Sequence, residues 1–387
     1  MMGAMTPHAK SSLPKTTVEK AARELGGSRE PGGRRVPAFG GVAADRPLER
    51  MEIERREPDA HDVEIEIEYC GLCHSDVHSV RGEWGEVRYP YVPGHEIVGR
   101  VSRVGAEVRG FSEGERVGVG CLVDSCRECE SCREGLQQYC TGSGLGAGVG
   151  TYGAADYRHG GEQTQGGYSA SVVVNEGYVL RIPEGMDPAS AAPLLCAGIT
   201  TYSPLRHAGV GTGTRVGVVG LGGLGHMAVK IAKAMGAEVT VFSRSDGKRE
   251  AARELAADSY VNSSDEQAMK AARRSLDVVI DTVAAPHSLD GYLAALARDG
   301  RLTQVGLPSE PMPPVNPAHL IMRRVSYGGS LIGGLPETQE MLDFCAEHGI
   351  AADIETVDAD GVNAAYDRMV AGDVKYRFVL DVASLRG

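Results

Sequence analysis

The sequence lacks the features that mark membrane, secreted and nucleic-acid-binding proteins. No uninterrupted apolar stretch approaches the roughly 18 residues of a membrane span, and about the first 30 residues contain no apolar signal-peptide core. Basic residues are in the minority, with 40 Lys and Arg against 52 Asp and Glu, so the formal net charge is -12. This balance argues against non-specific binding to nucleic acid or to an anionic membrane. Aromatic residues are also scarce, with five Phe and one Trp.

Cysteine is well represented, with nine residues. An odd number without a secretory signal is typical of a reducing compartment, where thiols persist or hold metal. Disulfides are the alternative, but a chain of 387 residues does not need them to build a core. We therefore expect a cytoplasmic protein that uses cysteine to bind metal.

The first half of the chain predicts a tail followed by a β-rich module. Residues 1–35 are rich in Gly, Pro and basic residues and have little apolar periodicity, so we expect a disordered tail. From Val63 to Glu68 apolar residues alternate with Glu, the pattern of a strand with one wet face. Short β-type runs continue to about residue 190. The stretch from Cys140 to Gly167 is dense in glycine and predicts a long exposed loop.

The second half predicts a doubly wound module. Helical segments separate four predicted strands, at Arg215–Val219, Glu238–Phe242, Leu276–Asp281 and Arg301–Gly306. Strands that alternate with helices indicate βαβ units and a parallel sheet. A helix at Glu337–His348 and a strand at Arg377–Val382 are predicted near the C-terminus.

A glycine-rich turn after the first of these strands fits the pattern G-x-G-x-x-G. The string follows an apolar strand and opens an amphipathic helix, which is the context that pyrophosphate binding requires. Glycines let the backbone approach the pyrophosphate, and the helix N-terminus stabilises its charge. A tight turn without a ligand is the alternative. The candidate cofactor-binding residues are Gly220, Leu221, Gly222, Gly223, Leu224 and Gly225.

The residues after the second strand indicate which dinucleotide is bound. A carboxylate there would bind the ribose 2′-hydroxyl of NAD. This chain instead has Ser243, Arg244, Ser245 and Lys248, which offer hydroxyls and cations to a 2′-phosphate. Asp246 is the competing residue, but it lies beyond the predicted strand end. We therefore expect NADP(H) rather than NAD(H).

Four cysteines form a compact cluster with the spacing C-x2-C-x2-C-x7-C. Four thiolates so close together can close a tetrahedron around one zinc ion, which makes the site structural. Disulfides or unliganded thiols are the alternatives. The cluster consists of Cys126, Cys129, Cys132 and Cys140, whereas Cys121, five residues earlier, has no assigned role beyond packing.

Several motifs together carry a family resemblance. The string Gly94-His95-Glu96-Ile97-Val98-Gly99, with Gly105 following, matches the zinc-containing alcohol dehydrogenase signature. With the cysteine cluster, the glycine turn and Cys73-His74-Ser75-Asp76, the chain resembles the medium-chain dehydrogenase/reductase superfamily. Within it, the chain is most similar to cinnamyl alcohol dehydrogenases and to bacterial broad-range NADP-dependent aldehyde reductases. The resemblance covers about residues 36–387, and supporting strings lie at Tyr89–Glu96, Leu194–Tyr202, Glu337–Leu342 and Gly372–Phe378.

The resemblance implies a GroES-like catalytic domain with an inserted Rossmann domain. We assign residues 36–190 and 325–387 to the former and residues 191–324 to the latter. It also implies two zinc ions per subunit, one of them structural, and a homodimer. Thr141–Gly150 is an unusually glycine-rich insertion, and Gly153 stands where relatives often carry Asn, so the chain departs from the family pattern here.

The resemblance also implies the roles of residues that spacing alone would not join. Cys73, His95 and Cys196 would bind the catalytic zinc, with Glu96 as an occasional fourth ligand. Ser75 and His78 match the family's proton relay, although a loop hydroxyl and a surface histidine are the alternatives. His74 and Arg377 match positions that meet the cofactor pyrophosphate.

The implied activity is zinc-dependent, NADPH-linked reduction of aldehydes to primary alcohols, over a broad range that includes aromatic aldehydes. Trp84 lies between Cys73 and His95 in the sequence and is a candidate wall of the substrate cleft, with core packing as its alternative. Two other functions stay open. One is an NAD-linked alcohol or polyol dehydrogenase, which Arg244 disfavours, and the other is a non-catalytic NADPH-binding redox sensor.

Overall fold

The computed structural model describes residues 33–142, 150–156, 158–159 and 161–386. Up to residue 195 the described chain is mainly β-structure with three short α-helices. Its strands are β1 (Arg34–Gly40), β2 (Glu49–Arg55), β3 (Asp62–Leu72), β4 (Ile97–Val104), β5 (Arg116–Val119), β6 (Ala155–Asp156), β7 (Glu162–Gln163), β8 (Ser171–Asn175) and β9 (Leu180–Arg181). Its helices are α1 (His74–Val80), α2 (Glu130–Arg133) and α3 (Pro188–Ala191).

Alternating helices and strands follow. The helices are α4 (Ala197–His207), α5 (Gly223–Ala234), α6 (Arg249–Glu254), α7 (Glu266–Ala271), α8 (Asp290–Ala295) and α9 (Ala318–Ile321). The strands are β10 (Arg215–Val219), β11 (Glu238–Ser243), β12 (Ser259–Asn262), β13 (Leu276–Asp281), β14 (Leu296–Gln304) and β15 (Ser326–Gly329). They form a parallel sheet in the order β12-β11-β10-β13-β14-β15. The order reverses between β10 and β13, which is where open α/β sheets bind ligands.

The C-terminal segment returns to the first sheet. It consists of α10 (Leu335–Glu347), β16 (Ile354–Val357), α11 (Val362–Ala371) and β17 (Arg377–Asp381). β17 pairs antiparallel with β3, and Phe378 lies opposite Leu72. The described strands of this sheet run in the order β16-β17-β3-β4-β5-β9, and β8 also pairs with β3. The first and last parts of the chain therefore share one sheet, and the parallel sheet is inserted between them.

β3 is the central strand of the first sheet. Its apolar residues Val63, Ile65 and Ile67 are at most 2% exposed, because they face the core as their alternation predicts. Glu64 departs from the predicted wet face and is only 3% exposed. Its carboxylate forms ion pairs with Arg34 and Arg103.

The predicted organisation can be compared with the structure at the N-terminal tail, the end of the parallel sheet and the glycine-rich loop. Residues 1–32 of the predicted tail lie outside the described residues, and β1 already begins at Arg34. Ser326–Gly329 pairs with β14 as an edge strand, so the parallel sheet extends past residue 324. The predicted loop from Cys140 to Gly167 contains the β6–β7 hairpin, and its last two residues, Gly166 and Gly167, are buried. Residues 143–149, 157 and 160 of that loop lie outside the described residues.

Among the described residues, no helix combines the length and the apolar character needed to cross a membrane.

Candidate active site

Three predicted metal ligands come from separate parts of the fold. Cys73 follows β3 directly and caps the N-terminus of α1, Cys196 caps the N-terminus of α4, and His95 lies just before β4. One ligand atom each from Cys73, His95, Glu96 and Cys196 lies within 4.8 Å of the others. Zinc bonds of about 2.0–2.3 Å place tetrahedral ligand atoms within about 4 Å of one another. The donor set therefore fits one zinc ion after a small contraction.

Asp76 orients this set. Its Oδ1 is 2.8 Å from Nδ1 of His95 and accepts the backbone N–H of Gly94 at 3.0 Å. Its Oδ2 accepts the backbone N–H of Cys73 at 2.9 Å. Binding at Nδ1 leaves Nε2 of His95 as the metal-facing nitrogen, because a carboxylate on one ring nitrogen fixes the tautomer for the other.

The thiol of Cys73 is prepared for metal binding. The pKa of Cys73 lies well below its usual value, mainly because the Cys196 thiol donates a hydrogen bond to it and also because Arg377 is close. Since the thiolate is the form that binds metal, the environment favours the ligand form of Cys73.

Glu96 connects the metal ligands to the C-terminal strand. Its side chain is completely buried and forms an ion pair with Nη2 of Arg377. Its Oε1 is 4.0 Å from Nε2 of His95, and its Oε2 has no hydrogen-bond partner among the described residues. Burial raises the pKa of Glu96 to about 7. Because one of its carboxylate oxygens lies within 4.8 Å of the ligand atoms of Cys73, His95 and Cys196, Glu96 is suited to serve as an additional ligand.

The predicted relay residues lie on one short helix. Ser75 and His78 are both in α1, one turn apart and each partly buried. Nδ1 of His78 binds the carboxylate of Glu83. The ring of Trp84 stacks on His78 with centroids 4.9 Å apart and is 42% exposed. Trp84 is therefore not a core residue, and it lies beside the predicted relay.

The glycine turn has the geometry that dinucleotide binding requires. Gly220 has a φ of 87°, in the left-handed region that favours glycine. A Cβ on Gly225 would lie 2.1 Å from the carbonyl oxygen of Gly220, so only glycine permits this close approach. Gly222 caps α5 without a side-chain hydrogen bond. The free N-terminal N–H groups of α5 are therefore available to an anion.

The residues after β11 are arranged around this turn. Nζ of Lys248 reaches back to the carbonyl oxygen of Leu221 at 2.8 Å, so its ammonium lies beside the glycine turn. Arg244 is exposed. Asp246 binds Arg249 at 2.5 Å and Asn262 at 3.2 Å. The carboxylate that competes for NAD is thus already engaged with other side chains.

The predicted structural zinc cluster also comes together. One ligand atom from each of Cys126, Cys129, Cys132 and Cys140 lies within 4.8 Å of the others, and all four thiols are free and buried. Backbone N–H groups of Cys126 and Gly142 donate to Sγ of Cys140, each at 3.3 Å. N–H donors directed at sulfur are suited to stabilise thiolates, and a four-thiolate set leaves no open position on zinc.

Two residues near the catalytic set had no predicted role there. Asp76 stands three residues after Cys73, the spacing of a capping box, and this signal identifies it as a residue that fixes the start of α1. Cys121, for which the sequence indicates only packing, lies in one cluster with Cys73 and Cys196, and its thiol donates to the carbonyl oxygen of Leu195 at 3.8 Å. No sequence spacing indicates this position for Cys121.

Comparison with known proteins gives a consistent result. Residues 59–184 match the alcohol dehydrogenase GroES-like domain, and residues 223–347 match the zinc-binding dehydrogenase family. The chain is 55% identical over 352 residues to aldehyde reductase YahK of Escherichia coli, covering 91% of this chain and 99% of that one. It is 53% identical over the same length to NADP-dependent alcohol dehydrogenase C 1 of Mycolicibacterium smegmatis, with the same coverage.

A solved structure supports the same conclusion. Cinnamyl alcohol dehydrogenase SbCAD4 from Sorghum bicolor superposes with a TM-score of 0.86 at 45% identity, covering 90% of this chain and 98% of that one. The GroES-like fold with an inserted Rossmann sheet, predicted from the motifs, is thereby confirmed. The chain belongs to the zinc-binding alcohol dehydrogenases of the medium-chain dehydrogenase/reductase type and is similar to the cinnamyl alcohol dehydrogenases within them.

Proposed function

We propose that this protein is a zinc-dependent reductase that uses NADPH to convert aldehydes to primary alcohols, reversibly. The observation that carries the proposal is the convergence of Cys73, His95 and Cys196 in a chain whose Arg377 contacts both Glu96 and the glycine turn. One open metal site beside a dinucleotide site is the arrangement that hydride transfer to a carbonyl needs.

The residues of the chain divide the chemistry among them. Cys73, His95 and Cys196 would hold the zinc ion, which would supply Lewis-acid polarisation of the carbonyl oxygen, and the glycine turn would hold NADPH as the hydride source. Ser75 donates a proton to the substrate oxygen as the carbonyl becomes a hydroxyl. His78 returns that proton from solvent, and its bond to Glu83 holds the ring in place. An imidazole suits this exchange, because one of its ring nitrogens can accept a proton while the other donates one.

The Ser75 role is tested by Ser75→Ala, with Ser79→Ala on the same helix as the matched control. We expect Ser75→Ala to lose at least about a hundredfold in kcat, the usual range for a positioned proton donor, while zinc content and NADPH binding stay unchanged. Ser79→Ala should keep full turnover. Equal turnover in both variants would refute the relay. Turnover absent from the unmodified protein across an aldehyde panel that includes cinnamaldehyde and benzaldehyde would instead favour the redox-sensor alternative.

We propose NADP(H) as the cofactor, with Ser243, Arg244, Ser245 and Lys248 around the 2′-phosphate. The engagement of Asp246 by Arg249 supports this choice, and so does the name of the NADP-dependent relative. Arg244→Asp should weaken NADPH binding by about tenfold or more, the effect of one charge-assisted hydrogen bond, and should leave NADH binding unchanged. Arg253→Asp on α6 is the control for added negative charge. Equal losses for both cofactors in Arg244→Asp would contradict the assignment.

We propose aromatic aldehydes among the substrates. Trp84 stacks on His78 and still exposes 42% of its surface, so it can also pack against a substrate ring. Trp84→Ala should raise KM for cinnamaldehyde more than KM for a short aliphatic aldehyde such as propanal. An equal change in both KM values would remove Trp84 from the substrate site.

The proposed assembly is a homodimer with two zinc ions per subunit, in the cytoplasm. The four residues of β15 are exposed at the edge of the parallel sheet, and Ile321 and Met322 beside it are 76% and 79% exposed. An open strand edge next to apolar surface suits pairing with a second copy about a two-fold axis. The six proposed cysteine ligands need a reducing compartment to remain thiolates.

A further inference from the structure

Two buried rings join the glycine-turn helix to the last strand of the catalytic sheet. His226 lies in the first turn of α5, and Tyr376 immediately precedes β17. Their rings stack with centroids 4.8 Å apart and an interplanar angle of 11°. His226 is 0% exposed and Tyr376 is 6% exposed. The stack is therefore a contact between the cofactor-binding half and the catalytic half of the protein.

Hydrogen bonding does not explain this pair. Nε2 of His226 and Oη of Tyr376 are both buried, and neither has a hydrogen-bond partner among the described residues. The Nδ1 atom of His226 lies 3.3 Å from the carbonyl oxygen of Gly222, within its own helix. What connects the two halves here is the packing of one ring face on the other.

A second contact on the same helix reinforces the first. Lys230, one turn after His226, donates to the carboxylate of Asp353 at 2.7 Å and to the carbonyl oxygen of Ala351 at 2.9 Å. The carbonyl oxygen of Asp353 in turn accepts the backbone N–H groups of Tyr376 at 3.0 Å and Arg377 at 3.2 Å. α5 therefore contacts Tyr376 directly through His226, and through Lys230 and Asp353 it also contacts the backbone of Tyr376 and Arg377.

The contacts of His226 and Lys230 fix the position of Arg377. It is 5% exposed, and its Nη2 is ion-paired with Glu96. On the other side its chain lies against the glycine turn, where a Cβ on Gly223 would be 2.8 Å from Cδ of Arg377. Its Nε is buried and has no partner within the described chain. An unpartnered donor at the N-terminus of α5 is suited to receive an anion.

We infer that His226 is a positioning residue for cofactor binding: its ring, stacked on Tyr376, holds Arg377 where the guanidinium reaches both Glu96 and the cofactor pyrophosphate. The inference rests on the proposed function, since it takes Arg377 as a pyrophosphate ligand. The inference adds a contact between two rings through which the position of α5 fixes the position of Arg377. Ring shape, and not the polar atoms of the two rings, carries this role.

The experiment measures the Kd of NADPH by calorimetry on zinc-loaded protein. His226→Ala and Tyr376→Leu remove the stack, and we expect each to weaken NADPH about tenfold, as loss of one charge-assisted hydrogen bond would. His226→Phe and Tyr376→Phe keep the stack and should bind NADPH within about twofold of the unmodified protein. Lys375→Ala is the matched control, since it breaks an exposed ion pair with Glu254 between the same two halves. It should also leave NADPH binding unchanged.

A second probe separates positioning from general damage to the fold. Adenosine 2′-monophosphate carries the 2′-phosphate but no pyrophosphate, so its Kd should not change in His226→Ala. Equal weakening of both ligands would overturn the inference. Failure of His226→Phe to restore NADPH binding would overturn it as well.

A further comparison uses Arg377→Ala alone and combined with His226→Ala. The inference expects the double variant to bind NADPH no more weakly than Arg377→Ala, because both changes act through one contact. If Arg377→Ala weakens NADPH but His226→Ala does not, the inference fails and the proposed cofactor site stands. If Arg377→Ala binds NADPH normally, the pyrophosphate role of Arg377 in the proposed function fails.

Discussion

The buried imidazole of His226 makes the stability of the protein depend on pH in a way that one substitution can isolate. Burial lowers the pKa of His226 to about 3, and the charges of Lys230 and Arg377 add to the effect, while Asp353 opposes it. In the unfolded chain the same group has an ordinary pKa of about 6.5. Between these two values the unfolded chain binds a proton that the folded protein does not.

The sign and size of the effect follow from this difference. Because the unfolded state binds more protons, the free energy of unfolding falls as the pH falls below about 6.5 and approaches about 3. The interval from about pH 6.5 to about pH 5 is about 1.5 pH units. At about 1.4 kcal/mol per unit, the free energy of unfolding falls by about 2 kcal/mol over this interval. At about pH 5 the folded histidine is neutral, so the whole of this difference is expressed there.

His226→Phe removes the titrating group and keeps the ring. Urea unfolding, followed by far-UV circular dichroism at about pH 8 and about pH 5, should show the unmodified protein losing about 2 kcal/mol more on acidification than the variant. Tyr376→Phe, which retains His226, should follow the unmodified protein. Equal losses in His226→Phe and the unmodified protein would refute the reasoning, because all other titrating groups are common to both.

Three further predictions concern other parts of the chain. Cys126→Ser should lose one zinc equivalent by metal analysis and should have a lower Tm. Cys345 is a buried cysteine outside both clusters, so the control Cys345→Ser should keep both zinc ions. Unchanged zinc in Cys126→Ser would contradict the structural site. Burial lowers the pKa of His159, but the hydrogen bond to Asp156 acts in the other direction and the pKa is raised overall. The contribution of His159 to the free energy of unfolding should therefore be fully present below about pH 6.5 and should disappear as the pH rises through the pKa of the folded state. His159→Gln should accordingly be less stable than the unmodified protein in acid and equal to it in base, and a constant difference would refute this. Met322→Glu should convert the proposed dimer to a monomer in sedimentation velocity, and an unchanged species would place the interface elsewhere.

Sequence patterns were most informative for the buried parallel strands. Arg215–Val219 and Leu276–Asp281 were predicted with the bounds that the structure has, because strands covered on both faces are short apolar runs. β14 begins five residues before its predicted start, at Leu296. Polar residues interrupt its pattern, and Asp299 has a φ of 68°. The exposed edge strand β15 reads Ser-Tyr-Gly-Gly and contains only one large apolar residue, Tyr327, so its sequence gives little strand signal.

The candidate site could be predicted only in part from the residues themselves. The glycine turn and the four-cysteine cluster are local in sequence, and each has a spacing that chemistry explains. The set of Cys73, His95 and Cys196 is not local, and it could be assembled only through the family resemblance. The sheet that joins the two ends of the chain is what places these residues together.

The contact between His226 and Tyr376 could not be predicted from the pattern of residues along the sequence. His226 is buried in the first turn of α5, but no spacing in the sequence identifies its partner ring. That partner comes from a segment that follows the whole parallel sheet and then returns to the catalytic sheet at β17. In this fold the two half-sites face each other through contacts that are distant in sequence. We therefore expect substitutions at such contacts to change cofactor binding without touching any residue of the recognised motifs.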